Sequence, residues 1–166
     1  MKKIILLFLL ILSLGGKGQT IIQTNVDDEK VNYEYIFRLL QDDLKLIDCS
    51  NFTVYVSDSK FDKTTRRCGA LHILDKNAYI INIDMEHFRR VRIKIFIHEM
   101  VHVSQIENKR MRIGKNYVYF EGEVSTNKTP HDKRAHEIEA MDLTKKLFWK
   151  YRKQLNKVNQ TILKTE

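Results

Sequence analysis

Arg89-Arg90-Val91-Arg92-Ile93-Lys94-Ile95-Phe96-Ile97-His98-Glu99-Met100-Val101-His102-Val103-Ser104-Gln105-Ile106 is the stretch on which the reading of this chain turns. Val91, Ile93, Ile95, Phe96, Ile97, Met100, Val101 and Val103 put apolar residues on nearly every side of a helix running from about Arg89 to Ile106. A helix of that kind is usually buried. His98 and His102 are four residues apart, so both imidazoles lie on one face, one turn apart. Two histidines and a glutamate inside a buried apolar helix are costly without a compensating partner. A metal ion is such a partner. Two nitrogens so placed can bind one zinc ion, and Glu99, beside the first of them, can reach a metal-bound water and take its proton. The plain alternative is a pair of satisfied core histidines. It loses weight because the flanking helix is apolar and a third ligand is available downstream.

A catalytic zinc site takes three protein ligands and keeps one position open. The residues directly after His102, Val103 to Asn108, hold no third histidine, so that ligand must come from further along. Arg134-Ala135-His136-Glu137-Ile138-Glu139-Ala140 opens a long helix expected from about Lys133 to beyond Leu155. With Glu137 at zero and about 100° per residue, Met141, Thr144, Phe148 and Leu155 fall within about 40° of it. Glu139 falls about 200° away, beside Lys146 and Lys150. Periodicity therefore favours Glu137, in the apolar stripe, and reads Glu139 as a solvated glutamate. His136, at the stripe's margin, is a further alternative.

Outward from these helices, the chain reads as a mixed α+β fold. Tyr33, Ile36, Phe37, Leu39, Leu40, Leu44 and Ile47 predict an amphipathic helix ending near Asp48. Phe52 to Val56 reads as a strand. Leu71 to Leu74 and Ala78 to Ile83, around Asp75-Lys76-Asn77, read as a hairpin. Tyr117 to Phe120 is a short strand between a basic loop, Asn108 to Lys115, and a polar loop, Glu121 to Lys133. His72 and His87 read as ordinary surface or strand residues, Phe148 and Trp149 as packing residues.

His98-Glu99-x-x-His102 followed by Glu137-Ile138-Glu139-Ala140 resembles the gluzincin group of zinc metallopeptidases, and Val103-Ser104-Gln105 resembles many small bacterial members. The likeness runs from about Phe52 to Leu147. It implies a minimal zincin-like domain: a small sheet packed on the metal helix, with a later helix bearing the glutamate ligand. It implies hydrolysis of peptide bonds, by an endopeptidase rather than an exopeptidase. Zinc on His98, His102 and Glu137 polarises the scissile carbonyl, while Glu99 activates water and later protonates the leaving amine. The strand before the metal helix, Tyr79 to Ile83, would hold an extended substrate by strand addition. His131, Tyr117, Tyr119 and Arg134 are candidates to meet the oxyanion. In one place the chain departs from the pattern. Met141 stands where several gluzincins have an aspartate, so the bond orienting a histidine ligand is expected from Asp142 or a backbone carbonyl.

The 166 residues suit one compact domain. Lys2 and Lys3, the apolar run Ile4 to Leu14, and Gly16-Lys17-Gly18 read as a secretory signal peptide over residues 1–18, with the domain spanning 19–166. The apolar run is too short for a bilayer span, which takes about 17–25 residues. The expectation is a secreted or periplasmic protein with no stable membrane anchor once the leader is removed. Net charge falls from +8 to +5 when Lys2, Lys3 and Lys17 leave. The remaining basic residues are interspersed with acidic ones, so the expected partner is a peptide or protein substrate and not nucleic acid. A binding or structural protein that keeps the same scaffold without turnover is the second reading. It has no use for Glu99. Cys49 and Cys68 allow one disulfide in an oxidising compartment, or two separate thiols. A simple hairpin between the segments after them would hold them at opposite ends.

Overall fold

The computed structural model describes residues 21–24, 31–46, 52–60 and 68–156. The expected leader, Cys49 and the segment 61–67 lie outside them. The elements are β1 (Ile21–Thr24), α1 (Tyr33–Leu40), β2 (Thr53–Asp58), β3 (Gly69–Asp75), β4 (Ala78–Ile83), α2 (Arg89–Glu107), β5 (Met111–Ile113), β6 (Tyr117–Phe120), β7 (Glu123–Thr126) and α3 (Ala135–Lys150). The architecture is mixed α+β.

Four strands form the main sheet in the order β1-β2-β4-β3. β1 and β2 run parallel, as do β2 and β4, while β3 pairs antiparallel to β4. In β2 and β4 every second residue is buried: Val54 and Val56, then Tyr79, Ile81 and Ile83. That period of two gives the sheet one apolar face. Ile36, Phe37 and Leu40 of α1 and Ile93, Phe96, Ile97 and Met100 of α2 share the core with it. Tyr33 meets Phe96 with ring centroids 5.0 Å apart.

The hairpin β3–β4 forms as its turn residues predict. β2, however, does not form a hairpin with β3; it lies parallel to β4, on the other side of the hairpin. Cys68 immediately precedes β3. Helix α1 also ends earlier than its apolar spacing suggests. Regular helix stops at Leu40, and a turn follows in which Lys45 has a φ of 54° and the Leu46 N–H donates to the Gln41 carbonyl. Leu44 and Leu46 are still buried, so the turn continues the apolar pattern without continuing the helix.

Two expected loops carry strands. Met111–Ile113 lies within the basic loop and Glu123–Thr126 within the polar one, and both pair with β6 in a second, three-stranded sheet. Glu121 and Gly122, with φ of 47° and 95°, make the two-residue turn between β6 and β7. Both central residues of a type I′ turn have positive φ, which is why glycine suits this place. Among the described residues no helix is long and apolar enough to cross a membrane.

Candidate metal centre

Helices α2 and α3 pack on each other and bring three side chains to one point. His98 Nε2 and His102 Nε2 lie 3.2 Å apart, and Glu137 Oε2 is 3.3 Å from each. Helical spacing sets the first pair. The third comes from the first turn of α3, which begins after a 3-10 turn at His131–Lys133. His102 and Glu137 are buried and His98 is partly open. These three residues can hold a metal ion.

The environment of His102 fixes which of its nitrogens faces the cluster. Gln105 is fully buried, and its Nε2 donates to the His136 carbonyl at 3.0 Å and to Glu139 Oε2 at 2.8 Å. Both partners only accept, so the amide nitrogen must point at them. The Gln105 oxygen is then left facing His102 Nδ1 at 2.8 Å, and Nδ1 must carry the proton. The Nε2 lone pair is thereby turned towards His98 and Glu137. Arg110 secures the far end, donating to Glu139 at 2.8 Å and to Glu121 in the β6–β7 turn.

The electrostatics follow from this convergence. Burial pulls the His102 pKa down, but bonding and charge from Glu137, with Glu99 behind it, bring it out above the ordinary histidine value. Burial would raise Glu137, and its close contacts with His102 and His98 outweigh that, holding the carboxyl well below the usual range. The two shifts describe one attraction seen from its two ends. Glu137 Oε2 is buried with no hydrogen-bond donor in good geometry, while Oε1 lies 3.1 Å from His131 Nε2. Glu99 is raised, chiefly by burial; His102 and His98 pull it back and Glu137 pushes it up.

Gly69 of β3 lies directly over Glu99. A Cβ there would collide with Ile95 Cγ2 and sit 3.2 Å from Glu99 Oε1. The missing side chain lets the strand approach the helix closely. A cavity of about 260 Å³ opens here, bounded by Gly69 and Leu71 of β3, Ile113 and Val118 of the second sheet, and the cluster itself.

Of the oxyanion candidates, His131 and Arg134 line this cavity; Tyr117 and Tyr119 do not, and both are exposed. Tyr117 packs its ring against Gly114 instead.

Four further expectations are corrected. β4 cannot add a substrate strand, because β2 and β3 occupy both its edges. Among the described residues, β3 is the strand of the main sheet beside the cluster with an edge unpaired. Glu139 is no solvated side chain: it is about one-quarter exposed and bonded to Gln105 and Arg110. His102 is oriented by Gln105, not by Asp142 or a backbone carbonyl. Met141 is 42% exposed and so lies at the open margin of its stripe, while Trp149, though 48% exposed, packs its ring on Phe148 as expected. His136 stays outside the cluster, buried against His102 and Phe120 and shifted down in pKa, mainly by burial.

The sequence reading missed Gln105 as a functional residue. Its signal was a buried-face glutamine three residues after His102, since i and i+3 share a helix face and a buried amide demands partners.

Compared with protein-family models, curated proteins and solved structures, the chain matches none.

Proposed function

We propose that this chain is a zinc-dependent peptidase with a zincin-like domain, its zinc held by His98, His102 and Glu137, and Glu99 its general base. The observation that carries the reading is the triangle of donor atoms with sides of 3.2, 3.3 and 3.3 Å. A tetrahedral ion with bonds of roughly 2.0–2.1 Å sets its ligands about 3.3–3.4 Å apart. Two imidazoles and one carboxylate also match a donor set known for catalytic zinc. Three lone pairs facing one another at this range repel unless a proton or a cation lies among them.

When bound, zinc supplies a Lewis acid that polarises a carbonyl and acidifies water. The protein's side chains do the rest. Glu99, a carboxylate whose proton affinity is raised by burial, takes the proton of the attacking water and returns it to the leaving amine. His131 and Arg134 line the cavity where charge on the carbonyl oxygen would develop. The open edge of β3 offers backbone groups to an extended peptide. The leader-like start supports action outside the cytoplasm, as a secreted or periplasmic enzyme.

The test is metal analysis of the purified chain beside a general peptidase assay. About one zinc per chain is expected, lost in the His98→Ala/His102→Ala double variant and on mild chelation of Glu137→Ala. Glu99→Gln keeps zinc and fold but loses turnover. Full zinc occupancy in the double histidine variant rules out the site. Equal hydrolysis by wild type and Glu99→Gln rules out the base.

A further inference from the structure

Two spaces open from the cluster, and they differ in chemistry. The cavity of about 260 Å³ towards the second sheet is lined by Leu71, Ile113 and Val118 together with the cluster, His131 and Arg134, and has no lysine. On the other side a groove of about 1040 Å³ runs along the cleft between α2 and α3 and shares His98, Glu99 and Gly69 with the cluster. Ile95, Met141, Phe148 and Trp149 give it apolar surface, and Lys94 and Lys145 stand on its two helices as exposed cations.

The cations are held at the aromatic wall. Lys94 Nζ lies 5.1 Å from the Phe148 ring centre, Arg90 lies 5.3 Å from the same ring, and Arg152 lies 4.8 Å from Trp149. Cation–π contact places these charges without neutralising them. Among the described residues neither Lys94 nor Lys145 is in an ion pair, in contrast to Lys60 and Lys150. Arg134 adds a cation where the groove meets the cluster, and Asp132 is the one carboxylate on its lining apart from Glu99.

We propose that this groove receives a segment of the substrate chain bearing a bulky apolar side chain flanked by carboxylates. The proposal rests on the peptidase reading and names the substrate class for it. An apolar side chain finds the surface of Ile95, Met141 and Trp149, and its acidic neighbours meet Lys94 and Lys145, which are in no ion pair among the described residues. Arg134 borders both spaces, but lysines line only the groove, so the stronger preference for acid falls on the groove's side of the scissile bond.

Two measurements separate this from the peptidase reading. In cleavage-site profiling with a mixed peptide pool, wild type is expected to enrich acidic residues on one side of the cut, and Lys94→Glu/Lys145→Glu to abolish that enrichment. Binding is read independently, by fluorescence polarisation on the Glu99→Gln chain with an acid-flanked Phe peptide and its lysine-flanked counterpart. The acidic peptide is expected to bind about tenfold more tightly, and charge reversal at Lys94 and Lys145 to remove the difference. Lys128→Glu, on the exposed loop after β7, controls for net charge and is expected to change nothing. Equal enrichment on both sides, equal binding of the two peptides, or an equal effect of Lys128→Glu overturns the proposal. Absence of all cleavage overturns the peptidase reading, and the binding comparison then still decides the groove.

Discussion

The two sheets of this protein are held by different forces. In the main sheet Val54, Val56, Ile81 and Ile83 have no exposed surface and pack with α1 and α2. In the second sheet each strand buries one residue, Met111, Phe120 or Ser125, while Ile113, Tyr117, Tyr119 and Val124 stay open. Its hold is polar: Arg110 joins Glu121 of its turn to Glu139 of α3 and lies over the Phe120 ring at 5.2 Å. The same Glu139 grips Gln105, which orients His102. Apolar burial thus supplies stability in one region, while in the other a few charged bonds make a small sheet part of the cluster's support.

The strongest way to break this contrast is to truncate one apolar residue in each sheet. Ile81→Ala is expected to lose about 2–5 kcal/mol of folding stability. Val124→Ala, 61% exposed, is expected to stay within about 0.5 kcal/mol. Denaturant titration of both checks it, and equal losses would mean that the second sheet is a core element after all.

Next comes the polar support. Gln105→Leu is expected to weaken metal binding about 10–100-fold, or about 1.4–2.7 kcal/mol, because His102 loses its orienting acceptor. Glu139→Gln shifts affinity in the same direction by releasing the amide. Competition with a chromophoric chelator measures both. Unchanged affinity would leave the Gln105–Glu139–Arg110 chain a purely structural brace.

Acid sharpens the contrast further. The folded chain raises the His102 pKa, so its proton is held to higher pH than in a free histidine. Below that raised value a metal must displace the proton, and affinity falls as pH drops, about tenfold per pH unit for each proton displaced. The buried face of the main sheet carries no histidine or carboxylate among the described residues, so no matching loss is expected there. Chelator competition from neutral to mildly acidic pH checks the slope, and a flat profile contradicts the assignment of His102.

The smallest effect belongs to the surface tie between α3 and the turn after α1. Lys150 and Tyr151 both bond Asp43 at 2.7 Å, and the ion pair is largely exposed. Asp43→Asn is expected to cost at most about 1 kcal/mol in thermal unfolding and to leave metal content unchanged.

What was legible in the sequence follows the same division. The burial period of two in β4 and the four-residue spacing of His98 and His102 are local, and each reappears in the structure. Periodicity also separated Glu137 from Glu139, because Ala140, Thr144, Leu147 and Phe148 are buried along the stripe. It misjudged Glu139, whose partners Gln105 and Arg110 lie on other elements and leave no mark on the helix's own pattern. β5 and β7 escaped for a related reason. They are three and four residues long, and most of their residues are exposed, so no apolar alternation marks them. Glu121-Gly122 was the one local sign of their hairpin. The place of β2 beside β4, on the far side of the hairpin, is a matter of topology that adjacency along the chain does not give.

The split origin of the cluster also governs timing. His98 and His102 come together as soon as one turn of α2 forms, whereas Glu137 arrives only when α3 docks. An ion held by all three would lose its carboxylate ligand if the first turn of α3 lifted, and that turn is pinned where Gln105 bonds the His136 carbonyl and Glu139. Local opening of this turn would therefore be one route of exchange, beside the two spaces that open from the cluster. The side chains that pin the turn, Gln105 and Glu139, would then slow release as well as strengthen affinity.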